Sequence, residues 1–344
     1  MKKRVLVVDD SPFIRRVLLD WIKTESDFEI VGTAANGNEA IRLAAELKPD
    51  IITMDVEMPH CDGLTALQHI MEASPTRVLM VSSITTQGAT STMKALELGA
   101  IDFVTKPQSS SSIHFLGVRD ELIGKLRACS EARVRPSAFR TCPAVKFRGG
   151  RTDQVVVIAS STGGPRALSA LWTSLPHNFP AAILVVQHMP VGFTASLAQR
   201  LNAIGNVPVR EAKSGDRVEA GQALICPGGQ HMFVRQGGLI ELNEDPPIHG
   251  VRPAADHLFN SAIEVYRRRL LGVVLTGMGH DGTAGACALR KAGSHVYGES
   301  AETCTIYGMP RAAKEAGGIT AEFPIHEMAM AITAGLKERL ENAS

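Results

Sequence analysis

The stretch Arg4-Val5-Leu6-Val7-Val8-Asp9-Asp10 is a short apolar run closed by two carboxylates. Such a run suits a strand buried on both faces of a parallel sheet. Further along, Asp50-Ile51-Ile52-Thr53-Met54-Asp55 ends on a third carboxylate. Val78-Leu79-Met80-Val81 runs into Ser82-Ser83, and Ala100-Ile101-Asp102-Phe103-Val104-Thr105 runs into Lys106-Pro107. A helix-like stretch follows each run, which predicts five parallel strands whose carboxyl ends face one crevice. That crevice would collect Asp9, Asp10, Asp55, a hydroxyl and a lysine. Converging carboxylates make a hard oxygen site for magnesium and for phosphoryl chemistry. A single Asp after a strand is an ordinary turn former or helix cap; the whole set together is not explained that way.

Over residues 1–127 these features resemble a response-regulator receiver domain. The resemblance implies that Asp55 accepts a phosphoryl group and that Asp9 and Asp10, with Asp55, hold Mg2+. It further implies that Ser82 and Lys106 support the phosphoryl group and that Phe103 is the family's aromatic switch position. The chemistry is consistent, because a carboxylate attacks phosphorus only when cations offset the charge of both partners. Pro107, after Lys106, is a candidate for a cis peptide bond.

The 344 residues suffice for two domains with separate cores. With 36 Lys and Arg against 35 Asp and Glu, the formal charge of +1 gives no global field for nucleic acid or an anionic membrane. Six cysteines lack a C-x-x-C pair and read as ordinary thiols, with no zinc site. The sequence holds no apolar run of membrane-spanning length and no signal-peptide pattern, so a cytoplasmic protein is expected. Ile113, Leu116, Leu122, Ile123 and Leu126 predict a closing helix over 113–127. Residues 128–152 carry Arg133, Arg135, Arg140, Lys146, Arg148 and Arg151 among Pro136, Pro143, Gly149 and Gly150, and read as a basic linker.

A second strand and helix pattern begins at residue 153 and runs to 344. Val155-Val156-Val157-Ile158-Ala159-Ser160 leads into Ser161-Thr162-Gly163-Gly164-Pro165. Ala182-Ile183-Leu184-Val185-Val186-Gln187 leads into His188-Met189-Pro190, and Leu271-Gly272-Val273-Val274-Leu275 leads into Thr276-Gly277-Met278-Gly279-His280-Asp281-Gly282. Three central parallel strands would deliver Ser161, His188 and Asp281 to one crevice. Serine needs a base to take its proton, and the base needs an acid to set its tautomer. Ala159 and Gly163 flank Ser161 with the small residues a tight elbow demands. Pro165 suits a helix's first turn, and the N–H groups there can stabilise an oxyanion. Ser160 and Thr162 read as caps of that helix. Ala159 breaks the G-x-S-x-G pattern, and the order Ser, His, Asp disfavours the alpha/beta hydrolases, chymotrypsin and subtilisin. Neither G-x-G-x-x-G nor a G-K-[ST] ending is present for a dinucleotide or phosphate site. Each of the three residues also has a structural reading: cap, strand-end histidine, turn former.

These segments, with Pro227-Gly228-Gly229-Gln230-His231-Met232, Arg252-Pro253-Ala254-Ala255-Asp256 and Tyr307-Gly308-Met309-Pro310, resemble the catalytic domain of the CheB family of chemotaxis protein-glutamate methylesterases. The resemblance implies two doubly wound α/β domains, a flavodoxin-like receiver followed by a Rossmann-like three-layer catalytic domain. It implies Ser161 as nucleophile, His188 as general base, Asp281 as orienting acid, and an oxyanion hole from the backbone N–H groups of Thr162 and Met278. Arg252 is a possible substrate contact, while His231, His249 and His257 receive no catalytic role. Ala159 stands where the family usually has Gly, and His280 fills a variable position. The implied reaction is metal-free hydrolysis of glutamate methyl esters on chemoreceptors, with deamidation of receptor glutamines. The implied partners are a chemotaxis histidine kinase as phosphodonor and the cytoplasmic helices of methyl-accepting chemoreceptors as substrate, for a monomeric bacterial enzyme. Two rivals differ in what they predict. A transcription regulator would need a helix-turn-helix and a basic recognition helix, whereas the dense basic cluster outside the linker is Arg267-Arg268-Arg269, expected on a solvent-facing helix. A binding module that has lost catalysis would be indifferent to mutation of Ser161.

Overall fold

The computed structural model describes residues 2–107, 112–132 and 153–341. These fall into two compact units, one on each side of the stretch 133–152. Most of the expected linker, and Ser109 to Ser111 of the serine run, therefore lie outside the described residues.

The first unit alternates strand and helix: β1 (Lys3–Val8), α1 (Pro12–Lys23), β2 (Phe28–Ala34), α2 (Gly37–Leu47), β3 (Ile51–Asp55), α3 (Gly63–Ala73), β4 (Arg77–Ser82), α4 (Thr86–Leu98), β5 (Asp102–Thr105) and α5 (Ser112–Glu131). The sheet order β2-β1-β3-β4-β5 is the flavodoxin-like one, and every pairing is parallel. Val5 to Val8, Ile51, Ile52 and Val78 to Val81 are buried, as strands covered on both faces must be. Helix starts are marked chemically: Ser11 caps α1 ahead of Pro12, and Asn36, Asp62 and Thr85 cap α2, α3 and α4. α5 runs four residues beyond the expected end, because Ala128, Cys129 and Ala132 are still buried and Arg77 Nε donates to the Ala132 carbonyl at 2.9 Å. Leu116, counted in its apolar face, is instead exposed.

The second unit contains β6 (Val155–Ser160), α6 (Gly164–Ser174), β7 (Ala182–Gln187), α7 (Phe193–Ile204), β8 (Val209–Glu211), β9 (Ala223–Ile225), β10 (His231–Arg235), β11 (Leu239–Asn243), α8 (Ala255–Tyr266), β12 (Leu270–Val274), α9 (Thr283–Lys291), β13 (His295–Glu299), α10 (Met309–Glu315), β14 (Ala321–Phe323) and α11 (Ile325–Glu341). Its seven-stranded sheet, β14-β13-β12-β6-β7-β9-β8, is parallel throughout, and β10 and β11 form a separate antiparallel hairpin. β6 sits between β12 and β7, so the chain winds outward in both directions from it. The crevice at the carboxyl end of β6 is the topological switch point where ligands bind in such sheets.

Among the described residues no helix is long and apolar enough to cross a membrane. The cis peptide bond among them is Arg252–Pro253; Lys106–Pro107, for which a cis bond was a candidate, is not one. Arg267, Arg268 and Arg269 are exposed, though in a 3-10 turn after α8 rather than on a helix face.

Phe259 of α8 is fully buried, and Gly282 and Gly285 lie against its ring. Phe259→Ala should therefore destabilise the second unit by about 3–5 kcal/mol. The two tryptophans, Trp21 in the first unit and Trp172 in the second, separate the transitions. In urea, emission of a Trp172-only variant should show an earlier midpoint and that of a Trp21-only variant an unmoved one.

Candidate active site

The parallel register of β6 and β7 sets Ser160 beside Gln187, so the next residues of both strands, Ser161 and His188, emerge together. His188 N–H donates to the Ser160 carbonyl at 3.1 Å and Ser161 N–H to the Thr276 carbonyl at 3.1 Å, which ties the ends of β6 and β7 to the turn after β12. The elbow after Ser161 depends on two glycines. Gly163 has φ of +78°, and a Cβ on Gly164 would stand 2.0 Å from Gln187 Oε1. Gly277 allows an equally close approach: a Cβ there would lie 2.7 Å from Ser161 Cβ.

Gln187, which sequence reasoning gave no role, organises this elbow. It is buried, accepts from Ser160 Oγ at 2.7 Å, and donates through Nε2 to the carbonyls of Ser161 (2.9 Å) and His188 (3.1 Å). The expected side-chain capping of α6 does not occur: its N-cap is Gly163, without a side-chain bond, and the Ser160 hydroxyl is committed to Gln187. Thr276 Oγ1 adds a second brace, accepting from Ile306 N at 2.9 Å and lying 3.0 Å from the Thr162 carbonyl. Buried Glu299 in turn accepts from Thr276 N at 2.9 Å.

His188 Nε2 and Asp281 Oδ2 are 2.7 Å apart. Asp281 is 2% exposed, yet its pKa lies below the usual carboxylate value. Burial alone would raise it; His188 and the N–H groups of Ala255 (2.6 Å) and Asp256 (3.2 Å) outweigh burial by bonding to the anion. Those two N–H groups open α8, so Asp281 also closes a helix N-terminus. With Nε2 committed to Asp281, Nδ1 is the nitrogen of His188 that can act as a base. Ser161, His188 and Asp281 therefore sit at adjacent strand ends. Among the described residues no hydrogen bond joins Ser161 Oγ to His188, and no acceptor takes the N–H of Met278. Met278 and Val191 expose apolar side chains from the turns that carry Asp281 and His188.

Arg252 is engaged with its own chain, donating to the carbonyls of Glu244 (2.6 Å) and Asp245 (3.1 Å). His231 is fully buried; Ala254 N donates to its Nδ1 at 3.1 Å, and its Nε2 faces the Pro246 carbonyl at 3.3 Å. Burial lowers its pKa. It pins the segment leading into α8, and His257 packs edge-on against it.

In the first unit, Lys106 Nζ lies 2.7 Å from Asp55 Oδ2 and 3.1 Å from Asp9 Oδ2. Asp9 and Asp55 are buried and Asp10 is exposed; one carboxylate oxygen from each lies within 4.8 Å of the others. Burial pushes Asp55 up to about 6, with Asp9 adding to it and Lys106 opposing. Burial likewise raises Asp9. Buried carboxylates short of compensating charge suit a hard divalent cation, so the donor set fits Mg2+. A cavity of about 570 Å³, bordered by Asp10, Glu57, Asp62, Gln87, Ser91 and Lys106, opens beside this cluster. Ser82 is buried, its Oγ near Thr92 Oγ1 (2.8 Å) and the Gly88 carbonyl (3.3 Å). Phe103 is buried, with the ammonium of Lys125 5.1 Å from its ring centre.

An acid-cornered receiver crevice and a serine, histidine and aspartate at a sheet's switch point define a hydrolase with an attached response-regulator module. The comparisons agree with that class. The family model described as CheB methylesterase matches residues 156–332, and that of the response regulator receiver domain matches residues 5–115. A relative from Symbiobacterium thermophilum, named protein-glutamate methylesterase/protein-glutamine glutaminase, is 46% identical over 97% of both chains. One of the same name from Thermotoga maritima is 46% identical over 91% of this chain and 93% of its own. The crystal structure of the Thermotoga maritima CheB methylesterase catalytic domain superposes with a TM-score of 0.52 at 41% identity, covering 53% of this chain and 98% of that one. The chain belongs to the CheB family of protein-glutamate methylesterases/protein-glutamine glutaminases.

The raised pKa of Asp55 has a sign that can be checked. Between the unfolded value of 3.8 and about 6 the folded state binds more protons than the unfolded chain. Stability of the first unit should therefore fall as pH rises through this window and level off above it. In buffer without divalent cations, Asp55→Asn should flatten the fall, so that the total loss of stability across the window is smaller than in the wild type by up to about 3 kcal/mol. Urea midpoints read from Trp21 emission between pH 4 and pH 7 test this.

Proposed function

We propose that this chain is a phosphorylation-controlled esterase that hydrolyses glutamate methyl esters on the cytoplasmic helices of chemoreceptors and deamidates receptor glutamines. The observation that carries the reading is the 2.7 Å contact of His188 Nε2 with Asp281 Oδ2 beside Ser161. It fixes the imidazole with Nε2 as the proton carrier and leaves Nδ1 to take the Ser161 proton. The hydrogen bond from Ser161 Oγ to His188 Nδ1 would form when substrate enters.

Ser161 Oγ attacks the ester carbonyl as its proton passes to His188. Negative charge then collects on the carbonyl oxygen, where the N–H groups of Thr162 and Met278 would receive it. His188 returns the proton to the departing oxygen and methanol leaves, giving an acyl-enzyme on Ser161. Water, deprotonated by His188, attacks that acyl group and frees the glutamate carboxylate and Ser161. A glutamine amide passes through the same acyl-enzyme with ammonia as leaving group. Asp281 stays ionised throughout and stabilises the imidazolium. Exposed Val191 and Met278 offer apolar footing for a helical protein substrate.

In the receiver, Asp55 would take the phosphoryl group from a chemotaxis histidine kinase. Asp9, Asp10 and Asp55 would hold Mg2+, which when bound offsets the charge of the incoming group. Lys106 already spans Asp9 and Asp55 and would follow the transferred charge, while Ser82 and Phe103 would support the phosphoryl site. A receiver joined to an esterase invites control by occlusion: the unphosphorylated receiver covers the Ser161 crevice, and phosphorylation shifts the population toward an open arrangement. The division is that expected from the sequence: receiver at 1–127, basic linker at 128–152 and esterase at 153–344. The protein would act as a cytoplasmic monomer.

Methanol release from methylated chemoreceptor membranes tests the reading, with and without a small phosphodonor and Mg2+. Ser161→Ala should reduce release to background, and Asp281→Asn should lower kcat by about 10⁴-fold. Asp55→Ala should keep the basal rate and lose the stimulation. Release that persists in Ser161→Ala would remove the serine mechanism. In the same assay without phosphodonor, a fragment beginning at Thr152 should outpace the unphosphorylated full chain; equal rates would remove occlusion.

A further inference from the structure

The catalytic aspartate is itself held by a second carboxylate. Asp281 accepts the opening N–H groups of α8, from Ala255 and Asp256. The Asp256 side chain returns the contact: its Oδ1 accepts from Gly285 N at 2.7 Å, in the first turn of α9, the helix that begins two residues after Asp281. The N-terminus of α8 is thus closed by a carboxylate from the approach to α9, and that of α9 by a carboxylate from the first turn of α8. The loop carrying Asp281 is clamped between them.

Such a clamp brings two buried carboxylates together, and like charges at close range repel. Burial, and then Asp281, push the Asp256 pKa up, while the Gly285 N–H and His249 pull it down. His249 Nε2 lies 3.4 Å from Asp256 Oδ2, and ligand-type atoms of His249, Asp256 and Asp281 all fall within 4.8 Å of one another. On its other side, His249 Nδ1 is 3.1 Å from His280 Nε2. Two ring nitrogens at that distance share one N–H. With His249 Nε2–H directed to Asp256, its Nδ1 accepts from His280 Nε2–H. The groups facing Asp256 are thus His249, Asp281 and the Gly285 N–H; those facing His249 are Asp256 and His280.

We propose that Asp256 and His249 are positioning residues of the esterase: Asp256 fixes the loop that presents Asp281 to His188, and His249 holds the Asp256 carboxylate so that it does not compete with His188 for Asp281. A protonated Asp256 would direct its O–H at the neighbouring Asp281 and draw that carboxylate's charge away from His188. His188 would then be a weaker base. The inference rests on the reading of Ser161, His188 and Asp281 as the catalytic residues.

Steady-state methyl-ester hydrolysis by the full, phosphodonor-activated chain tests it in Asp256→Ala, His249→Ala and His249→Gln, with Ser161→Ala and Asp281→Ala as controls. Asp256→Ala and His249→Ala should lower kcat by about 10- to 100-fold, the scale of a small misplacement of a reacting group, with KM within about two-fold. The acid limb of their pH profile should move to lower pH, since a weakened His188 gives up its proton more readily. His249→Gln keeps an N–H donor toward Asp256 and should recover most of kcat. His249 lies on an exposed loop, so its variants should fold even if Asp256→Ala does not. Loss of kcat that tracks loss of folded protein, with an unmoved acid limb, would reduce both residues to structural ones and overturn the proposal. So would wild-type kinetics in all three variants beside inactive Ser161 and Asp281 controls, which would leave the triad standing. Activity surviving in those controls would overturn the triad and the proposal together.

Discussion

The carboxylate of Asp281 is asked to do two things at once, and the catalytic half of the molecule is arranged around that demand. It closes the amino end of α8 and holds the imidazole of His188. The helix keeps the buried carboxylate ionised, because two backbone N–H groups and the positive end of the helix favour the charged form. In the proposed mechanism the histidine needs that charge, since an uncharged partner would neither fix its tautomer nor stabilise the imidazolium. Removing the helix contact would leave a buried acid that prefers its proton, so fold and chemistry share one group.

The receiver resolves the same electrostatic difficulty in the opposite sense. Asp55 is almost fully buried and has a lysine at 2.7 Å, but Asp9 lies beside it, and its pKa stays well above that of an ordinary carboxylate. Among the described residues no helix N-terminus bonds to it; Lys106 and the Glu57 N–H at 3.3 Å are its partners there. Asp281 is satisfied by fixed groups and has no need of a visitor. Asp55 is incompletely satisfied, as the proposed acceptor of a cation and a phosphoryl group would have to be. Burial alone distinguishes neither; the number and permanence of donors does.

Much of this was legible because strand ends leave a local signature. Val155–Ser160 and Ala182–Gln187 were read with the boundaries the structure has, since a continuous apolar run followed by small and polar residues marks a buried parallel strand. The convergence of Ser161, His188 and Asp281 follows once those strands are adjacent. What stayed hidden depends on contacts between distant positions. Gln187 looks like one more polar strand-end residue until its amide is seen to bridge Ser160, Ser161 and its own neighbour. Asp256 reads as a first-turn acidic residue, though its partner is Gly285, 29 positions away. The α6 cap was misread because Ser160 has a partner across the sheet that no local pattern announces.

The shortest strands were less legible for a related reason. β8, β9 and β14 are three residues each, too short to show a period, and they exist because a neighbouring strand offers a ladder. β8 and β14 stand at the two edges of the sheet, and their shortness limits the unpaired edge that it presents. The central strands β6, β7 and β12 carry the apolar pattern and the chemistry alike, because they are buried along their whole length and end beside the switch point. In an open α/β sheet the most readable part of the sequence and the catalytic part therefore coincide, whereas the residues that tune the site lie in helix first turns and loops, where sequence supplies the residue type and tertiary structure supplies its partner.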